Sequence, residues 1–435
     1  MTKAIEALEK DHQLGGRRGG ADILSRVVVT GIGVISPNGL TVEEFWRNLT
    51  QGVSGVGPVS TFDASPYSCR IAGEVKGFDP VQYMDAKTAR RTSRFVQFAV
   101  AATKMALADA RLTIDDHNRD SVGVVMNTGG GGMPDVVEGE RVFLTKGPNR
   151  VSPLLIPALI PNMGSCQVSM LWGIRGPVIS SIAACASGVY ALVEAKRLID
   201  TGEAEAVIAG SSESALIPVV FAALCNMRAL STRNGEPQKA CRPFDLHRDG
   251  FVPGEGGGVV ILERYEDAKR RGVPIYTEIV GGSLTADAYH VTAPDPAGEG
   301  AALAMSRALQ SAGLGPEDID YICAHGTGTP LNDVSETVSI KKVFGDHAYK
   351  VSISSPKSMV GHLMGAAGSI STIACALAIR DGIIPPTINL ETPDPQCDLD
   401  YVPNVARRAP VRAAMANGFG FGGQNSVAVF RACEE

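Results

Sequence analysis

Ser187–Gly202, SGVYALVEAKRLIDTG, and Ser369–Gly382, SISTIACALAIRDG, read as the same helix written twice. Both stretches lack proline, carry small and apolar residues, and close on basic side chains followed by glycine, as helix C-termini do. They predict helices over Ser187–Asp200 and Ser369–Asp381. Working outward, the first helix lies among short apolar runs that read as buried strands. These are Arg26–Ser36, ended by the turn Pro37-Asn38-Gly39, then Ser121–Met126 and Ala206–Gly210. Around the second lie Ile275–Val280 as a strand, Gly300–Ala312 as a helix and Ile319–Ala324 as a strand. Ala89–Leu112, Ala-rich and free of turn residues, is expected to be one long helix. Alternating strands and helices imply a layered α/β architecture. The repeated grammar implies a duplication whose halves meet within 260–275. The division is drawn as 26–270, carrying Cys185, and 271–435, carrying His325 and His362.

The 435 residues are 44% hydrophobic and 20% charged, an ordinary globular composition with length enough for a large core. A net charge of −6 gives no general basic field for nucleic acid. The apolar run Ala215–Cys225 is interrupted by Pro218 and is too short to span a bilayer. Residues 1–25 mix acids, bases and Gly-Gly pairs without the apolar core of a signal peptide, and are expected to form a mobile arm. Nine scattered cysteines, with no CxxC, suit free thiols in a reducing, cytoplasmic setting.

Three residues are candidates for the chemistry. Cys185 sits in Ser180–Gly188, SSIAACASG, just ahead of the first helix. There the positive end of the helix dipole is expected to lower its pKa, and small neighbours leave room for a substrate. The alternative is an inert buried cysteine. His325 opens HGTGTP at the end of a short apolar strand, where it can project into a cleft or be satisfied by local hydrogen bonds. His362 lies in SPKSMVGHLMGAAG, with Lys357 ahead of it and small residues after it. No pair among Cys185, His325 and His362 has the short ligand spacing of a structural zinc site, so no metal is expected. The glycine-rich stretches Gly254–Gly258 and Phe419–Gly423 match neither a phosphate loop nor a dinucleotide fingerprint.

The chain resembles the β-ketoacyl-acyl-carrier-protein synthases. The motifs occur in that family's order: VVVTGIGVISPNG, AACASG, RPFD and RDGFVPGEG, DAYHVTAP, HGTGTPLND, KSMVGHLMGAAG and NGFGFGGQN. The likeness runs from about Arg26 to Phe430 and is greatest to the elongating type II branch, which has a Cys-His-His centre. It implies a thiolase-like fold: two duplicated halves in a five-layer αβαβα sandwich, assembled as a homodimer. It implies decarboxylative condensation of malonyl-acyl carrier protein with an acyl chain held on Cys185. Substrates ride on the phosphopantetheine of acyl carrier protein, and no other cofactor is implied.

The resemblance also implies roles. His325 and His362 donate hydrogen bonds to the malonyl thioester, and the N–H groups of Cys185 and Phe421 form an oxyanion hole. Phe421 also gates the acyl pocket. Lys357 sets charge around His362 and pairs with Glu336, and Thr327 and Thr329 bind the phosphopantetheine arm. Gly130 stands on the acyl-pocket wall where many relatives are bulky, and Leu155 lines the neighbouring pocket across the dimer interface. Lys87, Arg90, Arg91, Arg94 and Arg228 form a basic cluster for the acidic carrier protein, although they also read as a solvated helix face. Ser371, Gly418 and Gln424 depart from common family residues, and a structural monovalent cation known near the first two in some relatives is not carried over. Alternatives of other kinds are a type II polyketide ketosynthase, a non-catalytic chain-length-factor-like subunit, and a cysteine hydrolase. The non-catalytic subunits lack the nucleophilic cysteine.

Overall fold

The computed structural model describes residues 26–434, so the arm expected over 1–25 lies outside the described residues. Ten strands join one sheet: β1 (Val27–Ile35), β2 (Val122–Asn127), β3 (Val178–Ile179), β4 (Ala206–Glu213), β5 (Gly256–Arg264), β6 (Thr277–Ala286), β7 (Tyr321–Cys323), β8 (Ser352–Ser354), β9 (Ala413–Gly420) and β10 (Gln424–Arg431). Their order is β8-β7-β9-β10-β6-β1-β5-β4-β2-β3. Read from the centre, each strand of one half has a counterpart in the other, and every pairing keeps its sense. β1·β5 and β5·β4 are antiparallel, as are β6·β10 and β10·β9, while the outer pairings are parallel in both halves. The halves join where β1 meets β6, with Val28 opposite Glu278. The strands read as apolar runs because helices cover both faces.

The helices that matter to the site are α1 (Arg94–Asp109), α2 (Met133–Lys146), α3 (Leu155–Leu159), α4 (Met163–Trp172), α5 (Ser187–Asp200), α6 (Pro218–Asn226), α7 (Tyr265–Arg271), α8 (Glu299–Ala312), α9 (Pro330–Phe344), α10 (Lys357–Val360) and α11 (Ala367–Asp381). α1 packs on β1, β4 and β5, and α8 packs on β6 and β10. α5 touches strands of both half-sheets, and so does α11. The sheet therefore folds around this central pair, giving five layers, αβαβα. α5 and α11 are the repeated helices of the sequence, and they meet where neither has a side chain. A Cβ on Gly188 would collide with the backbone of Gly368 and Ser369, and one on Gly368 with the backbone of Gly188 and Val189. Residues Ala367 to Ala378 are all buried, because α11 is covered on every side.

Most elements fall within a few residues of the sequence expectation. The helix expected over Ala89–Leu112 does not. The chain leaves helical form at Arg90 and resumes at Arg94, with Ser93 as N-cap. The Ser93 hydroxyl donates to the Ala158 carbonyl at 2.7 Å, a competing bond that favours a break. α7 links β5 to β6, and the division drawn after residue 270 falls one residue before its end.

Candidate active site

The end of β2 and the β9–β10 hairpin hold the turn that carries Cys185. Asn127 accepts from the Ser181 N–H at 2.7 Å and donates to the Ser187 carbonyl at 3.1 Å. Ser187 Oγ accepts from the Ala183 N–H, and Ser426 Oγ donates to the Ala186 carbonyl. Ala184, just before Cys185, adopts φ +46°, a left-handed conformation that alanine rarely takes. The same device recurs in the second half, where Met364 has φ +45° one turn ahead of α11. Gly420 completes the first turn. A Cβ there would lie 2.5 Å from the Ala183 carbonyl and 3.2 Å from the Cys185 nitrogen, so the hairpin can approach Cys185 only as glycine.

His325 follows β7. Its Nδ1 accepts from the Phe419 N–H at 3.3 Å, which assigns the proton to Nε2. His362 sits between α10 and α11, its main chain donating to the Val252 carbonyl at 2.7 Å. The two imidazoles are buried, with centroids 5.5 Å apart and planes at 86°. Burial holds both well below the ordinary 6.5, with Lys357 adding to it and His362 adding further at His325. Both rings are therefore neutral at pH 7 and can donate one hydrogen bond each.

Cys185, His325, His362, Thr327, Thr329, Gly130, Phe421 and Arg228 all line one cavity of about 510 Å³. Its inner wall adds Met133, Ala215, Val220, Leu224 and Phe251, an apolar lining. Phe421 is exposed at the tip of the hairpin, between Gly420 and the left-handed Gly422 and Gly423. Thr327 and Thr329 hydroxyls are 2.9 Å apart, and Thr329 caps α9 by accepting from the Asn332 N–H.

Three expectations need correction. The Cys185 thiol is pushed up to about 11 by burial, which outweighs the pull of Lys357 and of the Phe421 N–H, so the lowering expected at the helix start does not prevail. Glu336 forms no ion pair with Lys357 within 4.0 Å among the described residues; it turns toward the His325 loop instead. Its carboxylate accepts from the N–H groups of His325 at 2.8 Å and Gly326 at 2.7 Å and from Asn417 Nδ2 at 3.1 Å. Arg94 is held by Glu255 through two hydrogen bonds, of 2.9 and 2.8 Å, and donates to the Val75 carbonyl. That leaves Lys87, Arg90, Arg91 and Arg228 as the exposed members of the basic cluster. Leu155 packs on Gly139 of α2, away from the cavity of its own chain.

The alternation of strands and helices did not reveal Glu213, Asn127 or Asp333. Asp333 accepts from the N–H groups of Thr327 and Gly328 and so shapes the loop that follows His325. A carboxylate closing a buried strand, as in AVIAGSSE, was the one available signal for Glu213.

Against known proteins, residues 24–268 match the model of the β-ketoacyl synthase N-terminal domain, and residues 276–391 match that of the C-terminal domain. The chain belongs to the β-ketoacyl synthase family. This synthase is 49% identical over 406 residues to 3-oxoacyl-[acyl-carrier-protein] synthase 2 of Synechocystis sp., covering 93% of this chain and 98% of that protein. It is 49% identical over 404 residues to the protein of the same name from Coxiella burnetii, with the same coverage. Among solved structures, the ishigamide ketosynthase/chain length factor matches with TM-score 0.89 at 36% identity, covering 94% of this chain and 100% of that one. A type II polyketide ketosynthase, in complex with its acyl-carrier protein and bound to a hexaketide, matches with TM-score 0.86 at 36% identity and the same coverage.

Proposed function

We propose that this chain is an elongating β-ketoacyl-acyl-carrier-protein synthase. The observation that carries the reading is the convergence of Cys185 and two buried imidazoles on one apolar cavity. The Cys185 thiolate attacks the thioester of acyl carrier protein; the acyl group moves to Sγ and the carrier's thiol leaves. Malonyl carrier protein then enters, its thioester carbonyl accepting from Nε2–H of His325 and from His362. Loss of carbon dioxide leaves an enolate that these donors stabilise. The carbanion attacks the acyl-Cys185 carbonyl, whose oxyanion accepts from the N–H groups of Cys185 and Phe421. Collapse expels the Cys185 thiolate and releases 3-oxoacyl carrier protein. The proton lost from Cys185 goes to the departing carrier thiol and solvent returns one to the expelled thiolate; the two thioesters supply everything else, so the step calls for no further cofactor.

Lys357 supports this reaction through charge. It depresses both histidines and opposes the burial that raises Cys185. Glu336 fixes the His325 loop through its N–H groups, and Thr327 and Thr329 meet the phosphopantetheine arm. Lys87, Arg90, Arg91 and Arg228 receive the acidic carrier protein. Two copies associate through the open edge of β3 and the exposed apolar side chains of α2, α3 and α4, bringing Leu155 to the partner's pocket. Residues 26–270 and 271–435 act as the two halves, and the enzyme works in the cytoplasm. Among the described residues no helix is long and apolar enough to cross a membrane.

A second reading, a type II polyketide ketosynthase, is favoured by the likeness to the hexaketide-bound structure, at 36% identity. The test is a reconstituted assay with malonyl carrier protein and acyl carrier proteins of graded length, read by mass spectrometry. Single extension of alkyl primers supports fatty acid elongation. Repeated extension without reduction supports the polyketide reading, and no condensation defeats both.

A further inference from the structure

Glu213 ends β4 wholly buried and pairs with no cation within 4.0 Å among the described residues. A buried carboxylate in that position is costly unless hydrogen-bond donors surround it. Its donors lie in two separate turns: the Thr128 hydroxyl reaches Oε1 at 3.5 Å, and the others are backbone groups. The Gly129 N–H reaches Oε2 at 2.9 Å, and the Gly130 N–H reaches Oε2 at 3.2 Å and Oε1 at 3.3 Å. The Gly365 N–H reaches Oε2 at 3.2 Å. The first turn is the wall of the acyl cavity; the second begins three residues after His362. The glycines leave space for the carboxylate and for each other. A Cβ on Gly129 would lie 2.8 Å from Oε2, and one on Gly365 would strike the Gly129 nitrogen.

The matching turn of the other half is held in the same manner, with Asp333 accepting from the Thr327 and Gly328 N–H groups. Asp333, however, has Arg248 at 3.7 Å, whereas Glu213 relies on the two turns alone. The condensation gives Glu213 no part.

We propose that Glu213 is a positioning residue that ties the acyl-pocket wall at Gly129–Gly130 to the His362 turn at Gly365, so that pocket shape and decarboxylation geometry are set together. The inference rests on the condensing-enzyme reading. In Glu213→Gln an amide N–H must face at least one of the backbone N–H groups, and both turns loosen. Malonyl carrier protein decarboxylation is expected to fall about tenfold or more, while acylation of Cys185 by a hexanoyl chain falls less than about threefold. Hydrogen exchange followed by mass spectrometry should speed up in peptides covering 127–133 and 363–367 together. An equal loss of decarboxylation and acylation, an unchanged decarboxylation rate, or faster exchange in only one turn overturns the proposal. Should Glu213→Gln not fold, Glu213→Asp, which keeps the charge but withdraws it by one methylene, is put through the same measurements with the same criteria. Failure of the wild type to condense sinks the condensing-enzyme reading instead, and the exchange measurement still tests the link.

Discussion

At Cys185 two influences oppose each other, and burial wins: the thiol is pushed up to about 11, although Lys357 and the Phe421 N–H pull it down. Below that value the thiolate fraction rises tenfold per pH unit, so single-turnover acylation is expected to climb about tenfold per unit between pH 6 and 8. Lys357→Met removes the main opposing charge and should slow acylation about tenfold at pH 7.5, measured by intact mass against time. An acylation rate indifferent to both pH and Lys357 contradicts this account. The division of labour also separates by mutation. Cys185→Ala should lose condensation yet still decarboxylate malonyl carrier protein, because His325 and His362 remain. His362→Ala should acylate at Cys185 and lose decarboxylation by about a hundredfold, a typical loss for one oxyanion donor. Acyl adduct on the Cys185→Ala protein would refute the nucleophile assignment. These three side chains were legible from their small-residue motifs. The partner of Glu336 was not, because spacing along a chain does not say which backbone N–H groups a carboxylate will meet.

The turns after β2 and β4 line the cavity beside Cys185. Gly130 has no left-handed φ, unlike Gly131 at +58°. A Cβ on Gly130 meets Glu213 Oε1 at 3.2 Å and Met133 Cε at 3.6 Å, a fit that needs only a small shift. Gly130→Ala should therefore retain turnover at every chain length, which a backbone requirement at this position would not allow. Gly130→Ile projects into the cavity. Each methylene it displaces removes about 0.8 kcal/mol of burial, about fourfold in kcat/KM. The ratio of tetradecanoyl to hexanoyl turnover should fall strongly in Gly130→Ile. A ratio unchanged from wild type would mean that the acyl chain does not pass Gly130. The four-glycine run was visible in the sequence, but its split into a turn-forming glycine and a wall glycine was not. Only the backbone angles and the neighbouring Glu213 and Met133 separate the two.

For the whole molecule, the buried histidines link stability to pH. Their folded values lie well below 6.5, so between 6.5 and those values the unfolded chain binds protons that the folded chain refuses. Stability is present in full above about 6.5 and is lost as pH falls through that window. The melting temperature should drop between pH 7.5 and 5.5, and His362→Asn should drop less steeply; parallel slopes would count against the histidines. Association is the other property at this scale. Ile156 on α3 and Met170 on α4 are exposed. Ile156→Glu with Met170→Glu should convert a dimer to monomers in light scattering after size exclusion. A wild type that runs as a monomer would remove the dimer from the proposed function.

By itself the sequence determined the layered α/β class, the repeated helices α5 and α11, and the residue types at the centre. Local propensity, apolar runs and short motifs are enough for these, because each is written in neighbouring residues. Only the tertiary structure decided what Glu336, Arg94 and Glu213 do. Glu336 serves the His325 loop, Arg94 is held by Glu255 161 residues away, and Glu213 bridges turns 84 and 152 residues distant. A buried charge is stabilised by whichever donors the folded layers bring to it, and that choice is made across the sheet rather than along the chain.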